Sequence, residues 1–355
     1  MLQAFTIKTY RKFDDISFHN LRRFNFFVGD NNMGKTSILE AIYGWACGFN
    51  LQPFIVSSVM RNYPMTQMTP YSVMDILRSV MNEEKKVPWH FSFSGIENEE
   101  EITYSHTITP SAIITELNSH IDMIKERIHI ADQEKQVIAN WDIALNANEN
   151  KTYQISLPFF IPLTEPQQTA KYIDILGHRN PYEAIRIYSA LKKEGLMHSF
   201  INDLQKIFPD IQAIDTFPYP DATQAPIVLK TAQRGFLPLY AFGDGVQRWY
   251  HILGSLTLYK KAMLCIDEVD VTLHHAAQKE FCTNLIQYAR KYQAQLFLTT
   301  HNLEFLDYFL ESWHELEQVD DVCITTLAKN RQQVKIRSLS GADAYRARQY
   351  NMELR

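Results

Sequence analysis

The chain is poor in the features that staple, repeat or anchor a protein. Four cysteines occur in 355 residues, Cys47, Cys265, Cys282 and Cys323, and no two of them form a Cys-x-x-Cys pair. That argues against a zinc site and a disulfide framework, and it fits reduced thiols in the cytoplasm. The 12 glycines and 14 prolines are too few for a collagen-like or low-complexity architecture. No apolar run reaches the ~18 residues of a membrane span. The first 15 residues lack the charged-then-apolar plan of a signal peptide. No internal repeat is visible in the sequence. An excess of positive charge is missing too: 35 Lys plus Arg face 40 Asp plus Glu, a formal charge of −5. This excludes a strongly basic nucleic-acid coat protein, though not a local basic groove.

What remains is ordinary globular composition, 46% apolar and 21% charged. The length fits two domains, or one large domain with an insertion. Residues 3–9 and 24–28 read as strands. Phe24–Val28 is apolar except for Asn25, as expected of a strand buried on both faces. A helix is predicted over 36–47. Residues 50–88 show scattered Pro and Met with weak helical periodicity. Residues 89–108 alternate and predict a strand pair around the acidic turn 97–101. Ile114, Leu117, Ile121, Ile124 and Ile128 follow 3-4 spacing and predict an amphipathic helix over 111–145. A strand is expected within the Pro-punctuated stretch 158–166. Two helices follow in 181–208 and strands in 211–230. The order then becomes helix 245–259, strand 262–267, helix 275–292, strand 295–299 and helix 303–311. A hairpin of 321–328 and 332–338 and a polar helix in 341–355 complete the reading.

Four segments carry chemistry. Gly29-Asp30-Asn31-Asn32-Met33-Gly34-Lys35-Thr36 matches G-x-x-x-x-G-K-[ST] in full, between a strand and a helix. The glycines let successive N–H groups turn inward as an anion nest at a helix N-terminus. Lys35 is a point charge for the β- and γ-phosphates, and the Thr36 hydroxyl is a ligand for Mg²⁺. Gly29, Asn31, Asn32, Gly34, Lys35, Thr36 and Ser37 are therefore the expected nucleotide contacts. Next, the apolar run Ala262–Ile266 ends in Asp267-Glu268. Asp267 is expected on the metal and Glu268 on the attacking water, because adjacent carboxylates can serve different partners. Finally, Leu296–Thr300 ends in His301, placed one helix later as a sensor of the γ-phosphate. Gly243-Asp244-Gly245 opens the helix that feeds the acidic strand. A second anion nest there makes sense if it completes the nucleotide site of another subunit. His274 and His275, adjacent and divergent on a helix, read as helix-start or dimer-contact residues rather than a metal pair.

The order of these motifs resembles the ABC-type ATPase heads, more narrowly the branch of the RecF, SMC and OLD proteins. The aromatic-basic turn Tyr10-Arg11-Lys12-Phe13, the phosphate loop and Asp267-Glu268-Val269-Asp270-Val271-Thr272-Leu273-His274 carry the resemblance, and Asn351–Arg355 is similar to the "DLR" ending of small stand-alone members. The resemblance implies an α/β fold, an ABC-ATPase-like P-loop head with a mixed or parallel central sheet and an α/β insertion after the first helix. The head would comprise 1–50 and 152–355, and 51–151 would be a mostly helical insertion with a strand pair. It implies ATP and Mg²⁺ as ligands and a head-to-tail dimer around two ATP molecules, with Gly243–Gly245 donated in trans. Gly243 stands where the family usually has Ser, which removes a side-chain donor. Gln167 or Gln168 is the expected Q-loop residue, and adenine is expected near the Tyr10–Phe13 turn. Too few residues follow the head for the Toprim nuclease of the OLD proteins. Small heads of this kind resemble the cytoplasmic ATPases of two-gene antiphage systems, with a separate effector, a nuclease by expectation, and DNA or a phage protein as trigger. The alternative is a RecF- or SMC-like DNA-repair or DNA-maintenance ATPase. A transporter subunit or an AAA+ ring fits less well. The N-[KQ]-x-D guanine-reading tetrad is absent, which favours ATP.

Overall fold

A computed structural model describes residues 1–47, 89–114, 120–131, 136–147, 153–156, 170–217, 225–271, 273–316, 319–330, 333–350 and 352–354. The chain divides into two compact units. One comprises Met1–Arg22, Asn31–Gln168 and Leu327–Ser338, and the other Arg23–Asp30, Thr169–Thr326 and Leu339–Arg355.

The first unit begins with β1 (Leu2–Tyr10) and β2 (Phe13–Phe18). The next strand in sequence, β3 (Phe24–Gly29), belongs to the second unit. Helix α1 (Lys35–Ala46) and strands β4 (Trp89–Glu97), β5 (Glu100–Ile114), β6 (His120–Ala131), β7 (Gln136–Ala147) and β8 (Tyr153–Ser156) follow. The seven strands pair antiparallel in the order β2-β1-β4-β5-β6-β7-β8. Along β1 the residues Leu2, Phe5, Ile7 and Tyr10 are buried. Phe5 meets Trp45 of α1 edge-on at 6.3 Å and stacks on Phe93 at 6.1 Å, so aromatic packing fastens α1 to this sheet.

The helix expected over 111–145 is not formed. The end of β5, β6 and β7 pair in register instead, with Ile113 opposite Ile121, Pro110 opposite Ile124 and Ala139 opposite Ile128. The described part of the segment taken as mostly helical is therefore strand. Twelve residues with four isoleucines, as in β6, satisfy a 3-4 spacing by coincidence, while their β-branched content favours extended backbone. The stretches 50–88 and 158–166, with Gln167 and Gln168, lie outside the described residues.

The second unit continues from β3 with β9 (Ala170–Ile173), a 3-10 turn at Gly177–Arg179, α2 (Pro181–Lys193) and α3 (Met197–Ile207). A small antiparallel sheet of β10 (Ile211–Thr216), β11 (Ile227–Thr231) and β12 (Gly235–Pro238) leads to α4 (Asp244–Leu258). Then come β13 (Met263–Ile266), α5 (His275–Lys291), β14 (Gln295–Thr299), α6 (Leu303–Glu315), β15 (Val322–Asn330), β16 (Gln333–Ser340) and α7 (Gly341–Gln349). The larger sheet runs β16-β15-β3-β14-β13-β9, and β3, β14, β13 and β9 are parallel. Three of these strands, β3, β14 and β13, read as near-continuous apolar runs because helices cover them: Phe26 meets Phe309 of α6 at 4.6 Å, and Leu264, Leu298, Leu253 and Leu285 share one core. Gly254 lets α4 approach α2 closely, since a Cβ there would lie 2.6 Å from Ile187. Asn180 caps α2 ahead of Pro181, Asn302 caps α6 and Ser340 caps α7, which is why these boundaries were sharp in the sequence. Parallel pairing places the ends of the four strands, Gly29, Thr300, Asp267 and Asp174, along one edge, where ligands of such sheets bind. Among the described residues no helix is long and apolar enough to cross a membrane.

Candidate nucleotide site

The phosphate loop leaves β3 at Gly29 and closes at Gly34, just before the first residue of α1. Three of its residues take positive φ: Gly29 at 134°, Asn32 at 61° and Gly34 at 91°. Such a left-handed path turns backbone N–H groups to one side of a loop. Gly34 has no alternative, because a Cβ would sit 2.6 Å from the Phe13 ring and 2.7 Å from the Lys12 side chain. Lys35 and Ser37 are buried, Thr36 is half-buried, and Asn31 and Asn32 are exposed.

The aromatic-basic turn between β1 and β2 locks onto this loop and helix. Arg11 pairs with Glu40 of α1 at 2.9 Å, the Tyr10 hydroxyl donates to Glu40 at 3.2 Å, and Lys12 Nζ donates to the Asn32 carbonyl. Burial, then the nearby Lys329 charge, push the Lys12 ammonium down. Tyr10 and Phe13 are about as buried as any side chain here, at 1% and 2% exposure, and Tyr10 meets Phe93 edge-on. Both rings are part of the core.

The acidic strand end is a compact hydrogen-bonded cluster within the second unit. Asp267 is 2% exposed. Thr299 at the end of β14 donates its hydroxyl to Asp267 Oδ1 at 2.6 Å and accepts from the Glu268 backbone N–H at 2.8 Å. The Tyr172 hydroxyl lies 3.4 Å from Asp267 Oδ2. Glu268 adopts a left-handed φ of 44°, a strained conformation for a residue with a side chain. Its carboxylate lies 3.8 Å from His301 Nε2, and both side chains are partly open to solvent. Thr300 donates to Asp270 Oδ1 at 2.6 Å, tying the two strand-end loops together.

Gly243 caps α4, and Asp244 and Gly245 form its first turn. The Asp244 carboxylate is held by Arg179 in two contacts, 3.2 and 2.6 Å, and lies 3.4 Å from His178 Nε2. The Arg179 hydrogen bond keeps Asp244 below the usual carboxylate range, while burial, then the Arg248 charge, push His178 down. His274 begins α5 as its cap, and His275 pairs with Glu304 at 2.7 Å, so both are helix-start residues.

Of the residues expected from sequence, Gly29, Asp267, Glu268 and His301 come to one sheet edge, Asn31–Ser37 continue from it into α1, and Gly243–Gly245 open α4. Sequence reasoning missed Thr299, Arg248 and Asp174. Asp174 ends β9 beside Asp267, whose N–H donates to the Ile173 carbonyl at 2.9 Å. For Thr299 and Asp174 the available signal was position: each closes or follows a parallel strand of the same sheet. Arg248 gave a second signal, a cation placed among the apolar residues of a helix.

A family model described as "AAA domain, putative AbiEii toxin, Type IV TA system" matches residues 24–307, and one described as "AAA ATPase domain" matches residues 1–44. A Helicobacter pylori protein named ATP/GTP phosphatase is 23% identical over 343 residues, 86% of this chain and 87% of that protein. A solved SMC head bound to the C-terminal winged-helix domain of ScpA superposes with a TM-score of 0.55 at 14% identity, covering 97% of this chain and 99% of that one. The SMC head with an extended coiled coil bound to the C-terminal domain of ScpA, from Pyrococcus furiosus, gives 0.51 at 11% identity over 99% of both. These likenesses show the fold, an SMC-type ATPase head with a mixed central sheet.

Proposed function

This chain belongs to the AAA-domain family of that first description and is an ATPase, and from this premise we propose how it hydrolyses ATP and what the hydrolysis serves. Lys35 and the loop amides hold the phosphates. Thr36 and Asp267 would hold Mg²⁺, an oxygen-only donor pair that suits this hard cation. When bound, the ion would neutralise charge on the phosphates. Glu268 polarises the attacking water, His301 reads the γ-phosphate, and Gly243–Gly245 meet the nucleotide of a second copy in an ATP-sandwich dimer. The observation that carries this reading is the convergence of Asp267, Glu268 and His301 on the strand ends next to the start of the phosphate loop at Gly29. The protein acts in the cytoplasm as the sensor or scaffold of a bacterial antiphage system, with DNA or a phage protein as trigger and a separate effector, a nuclease, as partner. The family description, which names a toxin of a TA system, supports a partnered role.

Lys35→Ala should abolish ATP binding. Glu268→Gln should bind ATP normally and hydrolyse it at least about 100-fold more slowly. Normal turnover by Glu268→Gln overturns the assignment of the base. Tagged Glu268→Gln protein, pulled down with ATP from cells expressing the neighbouring gene, should bring a second, non-membrane protein with it. A bare dimer, or one carrying DNA, favours the DNA-maintenance alternative. So does hydrolysis stimulated by DNA in a salt-dependent way. GTP, run alongside ATP, tests the nucleotide preference.

A further inference from the structure

Arg248 is a charged residue in a place that ordinarily rejects charge. It lies one turn into α4 and is fully buried, at 0% exposure. Its guanidinium donates to three backbone carbonyls: Glu268 at 2.7 Å, Asp267 at 3.2 Å and Ile175 at 3.4 Å. Nε has no hydrogen-bond partner among the described residues. Burial lowers its pKa to about 10, opposed by the charges of Asp270, Asp174, Asp267 and Glu268, so it remains a cation at neutral pH. Burying a cation against carbonyls rather than pairing it with a carboxylate is costly, and an apolar side chain would be the simpler tenant.

The carbonyls it selects explain its presence. Two of the three belong to the Asp267-Glu268 turn, and Glu268 holds a left-handed φ of 44° that its own backbone disfavours. On the other side of the same residue, Thr299 accepts from the Glu268 N–H while giving its proton to Asp267. The backbone of Glu268 is thus gripped at both its N–H and its C=O, and the orientation of its side chain follows. We propose that Arg248, together with Thr299, is a positioning residue that fixes Glu268 for water activation. The proposal rests on the reading of Glu268 as the water-polarising carboxylate. Arginine suits the task and lysine does not, because one planar fork reaches three carbonyls in different directions.

The test is steady-state ATP hydrolysis and MgATP binding by the full chain carrying Arg248→Met, Arg248→Lys, Thr299→Val or Thr299→Ser, with Glu268→Gln as reference. Misplacing a catalytic group by about 1 Å costs on the order of 100-fold. Arg248→Met and Thr299→Val should therefore lower kcat by about tenfold to 100-fold while KM and the Kd for MgATP stay within about twofold. Thr299→Ser should recover most of the rate lost in Thr299→Val, and Arg248→Lys should not rescue Arg248→Met. A folded Arg248→Met or Thr299→Val protein that keeps wild-type kcat, or whose main defect is nucleotide affinity, overturns the proposal. If Arg248→Met fails to fold, the Thr299→Val and Thr299→Ser pair decides by the same criteria. Should Glu268→Gln turn over normally, the reading of Glu268 fails and the proposal falls with it. An inactive Glu268→Gln beside fully active clamp variants removes the proposal alone.

Discussion

A methyl group added at Gly34 would meet the Phe13 ring at 2.6 Å and the Lys12 chain at 2.7 Å, on a backbone at φ 91°. The ring is buried in the core and cannot yield, and the conformation is strained for any side chain. Gly34→Ala should destabilise the fold by about 2 kcal/mol or more, seen as a lowered melting temperature, and should weaken ATP binding with it. A variant as stable as the wild type would show that the turn relaxes. Gly34 and Lys35 were legible in the sequence because the phosphate-loop pattern is dense and local. Thr299 was not, because its role depends on a neighbour that parallel pairing, not sequence proximity, supplies. The burial of Tyr10 and Phe13 was not legible, because an aromatic pair beside a basic turn gives no sign of which way its rings face.

At the level of elements, α4 is the most informative. Besides Arg248 it buries His251, whose Nδ1 lies 3.0 Å from the Gln247 carbonyl. Burial pushes His251 down to about 4, and it also lowers His178 in the 3-10 turn. An unfolded histidine takes its proton near pH 6.5, so below that pH the unfolded chain binds more protons than the folded one. The stability contributed by the neutral rings is complete above about pH 6.5 and is lost as the pH falls toward 4. His251 alone accounts for on the order of 3 kcal/mol of that loss. Urea unfolding midpoints between pH 7.5 and 4 should fall less steeply for His251→Gln than for the wild type. Identical slopes would mean that His251 is not the group responsible. Helices α2, α6 and α7 could be read closely because Asn180, Asn302 and Ser340 mark their starts. Strands β6 and β7 could not, because their pairing partners lie in other strands and the isoleucine spacing alone fits either periodicity.

For the whole molecule, the proposed sandwich predicts a nucleotide-dependent change in mass. Glu268→Gln with ATP should elute at twice the mass of the chain in light-scattering chromatography, and Lys35→Ala should not. Persistence of a monomer in Glu268→Gln with saturating ATP would contradict the in-trans role of Gly243–Gly245. With a net charge of −5 such a dimer carries self-repulsion, so moderate salt should strengthen it. The α/β plan and the order of motifs were visible from sequence because β3, β13 and β14 are short apolar runs ended by polar residues, whereas β9, with Lys171 in its four residues, gave no such run. The seven-stranded antiparallel sheet of the first unit was visible only at β1 and at the β4–β5 pair, whose turn holds Asn98 and Glu99 at positive φ.

Helix α4 bears Gly245 in its first turn and Arg248 three residues later, about 4.5 Å along its axis. Whatever docks on the first can shift the second only as a body, because so short a piece of helix does not flex. Linkage then works in both directions. If docking at Gly243–Gly245 favours one arrangement of the Glu268 turn by some factor, nucleotide that favours the same arrangement must tighten docking by the same factor. Assembly and nucleotide occupancy would then report on each other through one rigid turn, with no separate transmitter to evolve or to break.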